Sequence, residues 1–128
     1  MMKATPQAID LVQPCTTMAD VRRHIDALDD ILVPLLVQRT GYMTQAARIK
    51  PSATLVRDED RIEAIVGRVR ASAALHGGPP DVLEAIYRSL MEHSIAYEHR
   101  EFARQRAGQS AEAAAQNTPA AQAAGSAA

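Results

Sequence analysis

Apolar residues recur at alternating spacings of four and three along the first third of the chain, which is the period of one helix face. The positions on this face are Val21, Ile25, Leu28, Leu32, Leu35, Arg39, Met43, Ala46 and Lys50. The pattern predicts a helix that begins after an N-cap at Thr17, with Asp20 completing a capping box, and ends near Lys50. Two cations, Arg39 and Lys50, therefore lie on the face that the helix should bury.

Pro34 interrupts this helix without changing its pattern. Proline lacks a backbone N–H, and its ring crowds the carbonyl oxygen one turn earlier, here that of Asp30. Because the apolar face stays in register across Pro34, we expect a kink within a continuing helix. Two shorter helices are the alternative, and Gly41 is a second, weaker point of interruption.

Two further amphipathic segments predict a second and a third helix. The second begins near Val56 or Arg57, and acidic residues at its start suit the positive end of the helix dipole. In the sequence HGGPP, Gly77 or Gly78 suits the position after this helix, and Pro80 suits the first position of the next. The third helix carries an apolar face formed by Leu83, Ile86, Tyr87, Leu90, Ser94, Tyr97 and Glu98.

The two ends of the chain differ from this helical domain, which we place at residues 17–104. Residues 1–16 contain two prolines and little periodicity, so we expect a loose arm. Residues 105–128 are rich in Ala and Gln, contain Pro119 and lack large apolar side chains. A segment of that composition buries little surface, so we expect a flexible tail that forms helix only transiently.

Composition and residue spacing argue against several classes of protein. The net charge of −1 argues against a general nucleic-acid binder, and no apolar run reaches the roughly 18 residues of a membrane span. Cys15 is the single cysteine and the N-terminus lacks a secretory signal, so we expect a cytoplasmic protein. The four histidines are never spaced as a pair of zinc ligands on one helix face, and we expect no metal and no cofactor. With no strand signal, the predicted fold class is all-α.

Each predicted helix carries polar groups beside its apolar positions, namely Arg39, Lys50, Asp58, Arg61, Ser94 and Glu98. Burying an unpaired charge costs several kcal/mol, so these groups neutralise one another, reach solvent or line a ligand pocket. Salt bridges such as Arg39–Glu98 or Arg61–Asp58 are the structural alternative. Cations outnumber carboxylates in this set, and Arg22 lies nearby. Because arginine favours carboxylates, a pocket here would suit a dicarboxylate. The length of helix between Arg39 and Lys50 leaves room for a ligand of roughly ten to twenty heavy atoms.

These residues resemble the all-helical chorismate mutase family over about residues 18–103. The positions of the first helix that carry the resemblance are Arg22, Ile25, Asp26, Leu28, Asp29, Leu32, Leu35, Leu36, Arg39 and Lys50. The resemblance implies that two arginines bind the carboxylates of chorismate, Arg39 from one subunit and Arg22 of the partner subunit. It also implies that Lys50 binds the ether oxygen.

The resemblance extends to the other two helices. Asp58 and Arg61 match a polar cluster that opens the second helix, and Ser94 matches a hydroxyl that contacts a carboxylate. Two positions depart from the pattern. Ile62 replaces a glutamate that many mutases use for the substrate hydroxyl, and Glu98 stands where many members have glutamine.

The resemblance implies an intertwined homodimer of three-helix subunits, with each pocket built across the interface. A first helix of about thirty residues spans about 45 Å, which is longer than one small subunit covers and supports a dimer in part. The expected function is the rearrangement of chorismate to prephenate, with Lys50 and a protonated Glu98 stabilising charge on the ether oxygen. An isochorismate-pyruvate lyase is the alternative, and a non-enzymatic helical dimerisation module is the second.

Overall fold

The computed structural model describes the backbone of residues 5–127 and the side chains of residues 5–116. Helix α1 spans Met18–Ile49, α2 spans Glu59–Leu75 and α3 spans Pro80–Ala127. Short 3₁₀ turns lie at Ala8–Leu11 and Ala53–Leu55. Residues 5–127 contain no strand, so the predicted all-α class with three helices is confirmed.

Helix α1 begins as its sequence predicts. The hydroxyl of Thr17 accepts a hydrogen bond from the backbone N–H of Asp20 at 3.1 Å, which satisfies one of the free donors of the first turn. The carboxylate of Asp20 accepts from the Thr16 hydroxyl at 3.2 Å rather than closing the box on Thr17. The helix then continues through Pro34, so the alternative of two shorter helices is wrong.

Helix α2 begins two to three residues later than predicted, because the chain first forms the 3₁₀ turn at Ala53–Leu55. Asp58 is its N-cap, and the Asp58 carboxylate accepts from the backbone N–H of Arg61 at 3.0 Å. This cap fixes the helix start at Glu59. The Asp58 carboxylate is therefore bonded to the backbone of the first turn of α2.

The α2–α3 turn follows the sequence HGGPP closely. Gly77 has φ +75°, a left-handed conformation that favours glycine. Its N–H donates to the carbonyl of Ala74 at 3.1 Å, and the N–H of Gly78 donates to the carbonyl of Ala73 at 2.8 Å. This pair of bonds is the Schellman motif that ends a helix at glycine, and α3 begins at Pro80 as predicted.

Helix α3 packs against both α1 and α2. The centre of the α2–α3 contact is a cluster of Ile62, Val66 and Met91, with Ile65, Tyr87 and Ile95 packed around it. Partly exposed ion pairs lie on the same two helices. Arg70 bonds Glu84 at 2.8 Å, and Arg88 bonds Glu84 at 2.8 Å and Glu63 at 3.1 Å.

The N-terminal half of α1 has its apolar face in solvent in the single chain. Ile25 is 49% exposed, Leu28 64%, Leu32 49% and Leu35 56%. We expected this face to be buried, and within one subunit that expectation is wrong. At a rise of 1.5 Å per residue, α1 is about 48 Å long and α2 about 25 Å, so much of α1 extends beyond α2.

Both ends of the helical domain form hydrogen bonds with it that the sequence did not indicate. In the expected loose arm, the N–H of Ile9 donates to the carbonyl of His76 at 3.1 Å, and residues 8–11 form a 3₁₀ turn. At the other end α3 does not stop near residue 104. The side chain of Gln105 donates to the carbonyl of Thr44 at 3.1 Å, so residue 105 packs with the helices. The expected flexibility of the later residues stays a prediction, and the side chains of 117–128 lie outside the described residues.

Candidate active site

A pocket of about 330 Å³ opens between the three helices. Its polar lining contains six of the seven residues that the sequence singles out, namely Arg39, Lys50, Asp58, Arg61, Ser94 and Glu98. Apolar side chains form the rest of the wall, including Ile62, Ile65, Met91 and Ile95. The helical periods of α1, α2 and α3 thus direct their polar groups into one space.

Arg39 lies at one end of this pocket. Its Nη1 atom donates to the hydroxyl of Ser94 at 3.1 Å, and the Ser94 hydroxyl donates to the carbonyl of Leu90 at 2.8 Å. The guanidinium also lies 5.8 Å from the ring centroid of Tyr87. Ser94 thus orients Arg39 without neutralising it, and no carboxylate among the described residues forms an ion pair with Arg39.

Lys50 and Glu98 lie at the other end. The Nζ atom of Lys50 donates to Oε2 of Glu98 at 2.8 Å and to the carbonyl of Val56 at 3.3 Å. Glu98 is only 3% exposed, so its charge is compensated mainly by this one ammonium group. Removing one partner of a buried pair leaves the other uncompensated, which costs about 3–5 kcal/mol in general.

Neither of the two salt bridges named as the structural alternative is present among the described residues. Glu98 pairs with Lys50 rather than with Arg39. The Asp58 carboxylate accepts the backbone N–H of Arg61, and no ion pair joins it to the Arg61 guanidinium. Two arginines therefore face the pocket region without a carboxylate partner in this part of the chain.

A second polar cavity of about 370 Å³ adjoins the first and shares Arg39 and Arg61 with it. Arg68 and Ser72 line it as well, and the sequence reasoning missed both. The signal was present, because Arg61, Arg68 and Ser72 follow one another at spacings of seven and four on one face of α2.

Arg22 does not reach either cavity in its own chain. It is exposed and lies 17 residues before Arg39, which corresponds to about 25 Å along α1. The structure therefore separates Arg22 from the other six predicted site residues. Only a second chain could bring an Arg22 side chain to this pocket.

The described residues hold no grouping of three or more His, Cys, Asp or Glu side chains suited to a metal ion. Among the same residues, no helix combines the length and the apolar character that crossing a bilayer demands.

Comparison with known proteins agrees with this architecture. The family model described as chorismate mutase type II matches residues 21–99. An isochorismate pyruvate lyase of Pseudomonas aeruginosa is 28% identical over 84 residues, covering 66% of this chain and 83% of that protein. A chorismate mutase of Methanocaldococcus jannaschii is 26% identical over 80 residues, covering 62% of this chain and 81% of that protein. The chain belongs to the chorismate mutase type II family.

Proposed function

We propose that the protein is a chorismate mutase that rearranges chorismate to prephenate. The observation that carries the proposal is one pocket with an arginine at one end and a lysine at the other. Arg39 and Lys50 lie about 16 Å apart along α1, and their side chains line the same space. A volume of about 330 Å³ lies within the range of about 300–1,000 Å³ that small-molecule sites occupy.

The charges suit a dicarboxylate. Arg39 donates to a neutral hydroxyl, which leaves its charge and its remaining N–H donors for a substrate carboxylate. Arg61 contributes a second cation at the same rim. In this proposal the side chain of Arg22 of the partner subunit clamps the other carboxylate, and Asp58 and Ser94 hold Arg61 and Arg39 in place.

The chemistry needs no covalent intermediate. In the rearrangement the ether C–O bond breaks while a C–C bond forms within the same molecule, so atoms balance without a co-reactant. The pocket holds the enolpyruvyl arm over the ring, which supplies proximity. Lys50 donates to the ether oxygen as negative charge grows there, and Glu98 donates as well when it carries a proton.

The proposal includes an intertwined homodimer. The exposed apolar face of α1 supports it, because Ile25, Leu28 and Leu32 form a stripe that a second copy would bury. Arg22 is on the same helix, one turn before Ile25, and would enter the partner's pocket along this stripe. Size-exclusion chromatography with light scattering tests the assembly; a monomer at micromolar concentration contradicts it.

The second candidate is an isochorismate pyruvate lyase, the activity named for the Pseudomonas aeruginosa relative. Ile62 favours it, because this 7% exposed side chain lines the pocket where many mutases carry a glutamate for the substrate hydroxyl. Glu98 opposes it mildly. The lyase would use the same cations to break the ether bond, while a ring hydrogen moves to the departing enolpyruvyl carbon.

Incubation with each substrate decides between the two. Prephenate formed from chorismate supports the mutase, and salicylate with pyruvate formed from isochorismate supports the lyase. The non-enzymatic dimerisation module predicts neither product, and no thermal shift with a dicarboxylate that mimics the transition state. A ligand that binds only the folded protein stabilises it by RT ln(1 + [L]/Kd), so a Tm that keeps rising with the logarithm of the mimic concentration excludes that module.

A further inference from the structure

Side chains of α3 beyond residue 99, where the family match ends, hold the last turn of α1. The Nη1 atom of Arg106 donates to the carbonyl of Ala47 at 3.2 Å, and its Nη2 atom donates to the carbonyl of Lys50 at 2.5 Å. We propose that Arg106 is a positioning residue for Lys50, fixing the backbone from which the Lys50 side chain enters the pocket. The inference rests on the proposed function, which gives Lys50 its role.

The last turn of α1 has free backbone carbonyls that a hydrogen-bond donor can satisfy. Lys50 is the C-cap, with φ −68° and ψ 131°, so the chain leaves the helix there and the last carbonyls lack helical partners. A cation at this end also meets the negative pole of the helix dipole. The N–H of Lys50 donates to the carbonyl of Ala46 at 3.0 Å, so Arg106 fixes the remaining backbone polar group of Lys50.

Neighbouring residues of α3 orient Arg106 itself. Its guanidinium lies over the ring of Phe102, 3.9 Å from the centroid. The adjacent Gln105 donates to the carbonyl of Thr44, one turn before Ala47. A planar fork directs one fixed N–H at each of the carbonyls of Ala47 and Lys50, whereas the ammonium of a lysine is a point charge on a flexible stem and fixes neither direction.

The position of the Lys50 ammonium in the pocket depends on the Lys50 backbone, because the ammonium must reach two acceptors at fixed places. It reaches Oε2 of Glu98 at 2.8 Å and the carbonyl of Val56 at 3.3 Å. A backbone that shifts at Lys50 moves the ammonium away from the reacting oxygen, and a misplacement of about 1 Å can cost about 100-fold in rate. Arg39 is about 16 Å away along α1, so carboxylate binding should change little.

The first test compares kcat and KM for wild type, Arg106→Ala, Arg106→Lys and Arg100→Ala. Arg100 is the matched control, because it also lies over an aromatic ring of α3, that of Tyr97 at 5.5 Å, and donates no side-chain bond to α1 among the described residues. We expect Arg106→Ala to lower kcat about tenfold or more with KM within about twofold. Arg106→Lys should be intermediate and Arg100→Ala close to wild type.

The second test needs no substrate. Lys50 and Lys3 are the two lysines of the chain, so brief reaction with acetic anhydride and peptide mass spectrometry gives the acetylation of Lys50 relative to Lys3. A Lys50 ammonium that leaves its two acceptors is more accessible to the reagent. The ratio should therefore rise several-fold in Arg106→Ala and stay at the wild-type value in Arg100→Ala. If Arg106→Ala does not fold, the same rise, smaller in size, is expected of Arg106→Lys.

The two tests separate the two proposals. Wild type that converts neither chorismate nor isochorismate overturns the proposed function, while the acetylation ratio still decides whether Arg106 positions Lys50. An Arg106→Ala protein that matches Arg100→Ala in both kcat and acetylation ratio overturns the positioning role.

Discussion

The ammonium of Lys50 on α1 and the carboxylate of Glu98 on α3 form an ion pair at 2.8 Å inside the pocket. The pair joins the end of one helix to the middle of another, and Glu98 is only 3% exposed. It places a carboxylate beside the cation that the proposed reaction needs at the ether oxygen. The group at position 98 therefore decides whether this end of the pocket repels the developing oxyanion or donates to it.

Glu98→Gln tests that dependence. A carboxylate beside the ether oxygen repels a developing oxyanion, whereas an amide of nearly the same shape donates to it. Glu98→Gln should therefore keep or raise kcat/KM near neutrality, and the measurement is kcat/KM for both proteins. An inactive variant would exclude a donor role at this position and leave Glu98 as the ion-pair partner of Lys50.

Arg39→Ala should lower kcat/KM by about 100-fold or more, because a charge-assisted clamp on a carboxylate is lost. Its Tm should remain within a few degrees of wild type, since Arg39 forms no ion pair with the described residues. Arg48→Ala is the control, because this exposed arginine of α1 bonds Gln45 at 3.1 Å and does not line the pocket. Equal activity of the two variants would contradict a substrate role for Arg39.

Arg22 should act across the subunit interface. We expect Arg22→Ala and Lys50→Ala to be nearly inactive when each is assayed alone. After subunit exchange, the mixed dimer contains one pocket with every residue intact, because the Lys50→Ala chain supplies Arg22 to the Lys50 of its partner. Activity should rise toward half of the wild-type value per mixed dimer. Absence of recovery after exchange verified by native mass spectrometry would place Arg22 outside the partner's site.

Glu84 should stabilise the fold above acidic pH. Hydrogen bonds from Arg88 and Arg70 hold the pKa of Glu84 below its ordinary value, and the unfolded chain lacks these partners. The folded state therefore gains stability from Glu84 above the unfolded pKa and loses it as pH falls through the folded pKa. Glu84→Gln should lower Tm at pH 7 and match wild type more closely at pH 3.

Glu112→Gln serves as the comparison for Glu84→Gln, because Glu112 is exposed on α3 and forms no ion pair with the described residues. It should leave Tm unchanged at both pH values. A Tm difference between Glu84→Gln and wild type that grows toward acid would contradict the assignment of Glu84 to the α2–α3 ion-pair network.

Local sequence determined the three helices, several of their ends and the helix faces that carry their polar groups. Thr17, Pro80 and the Gly77 turn set helix ends through backbone bonding and φ preference, which act over a few residues. The helical period alone placed Arg39 and Lys50 on one face of α1 and Ser94 and Glu98 on one face of α3.

Tertiary structure decided which groups on facing helices meet. The sequence analysis named Arg39 as a possible partner for Glu98, whereas the offset between α1 and α3 places Lys50 beside it. That offset depends on packing over the whole contact, which no short stretch of sequence specifies. The same offset brings Arg106 to the end of α1, although its Ala-rich surroundings predicted a tail. The partner of a charged side chain on one helix depends on how the helices pack, and local sequence does not specify that packing.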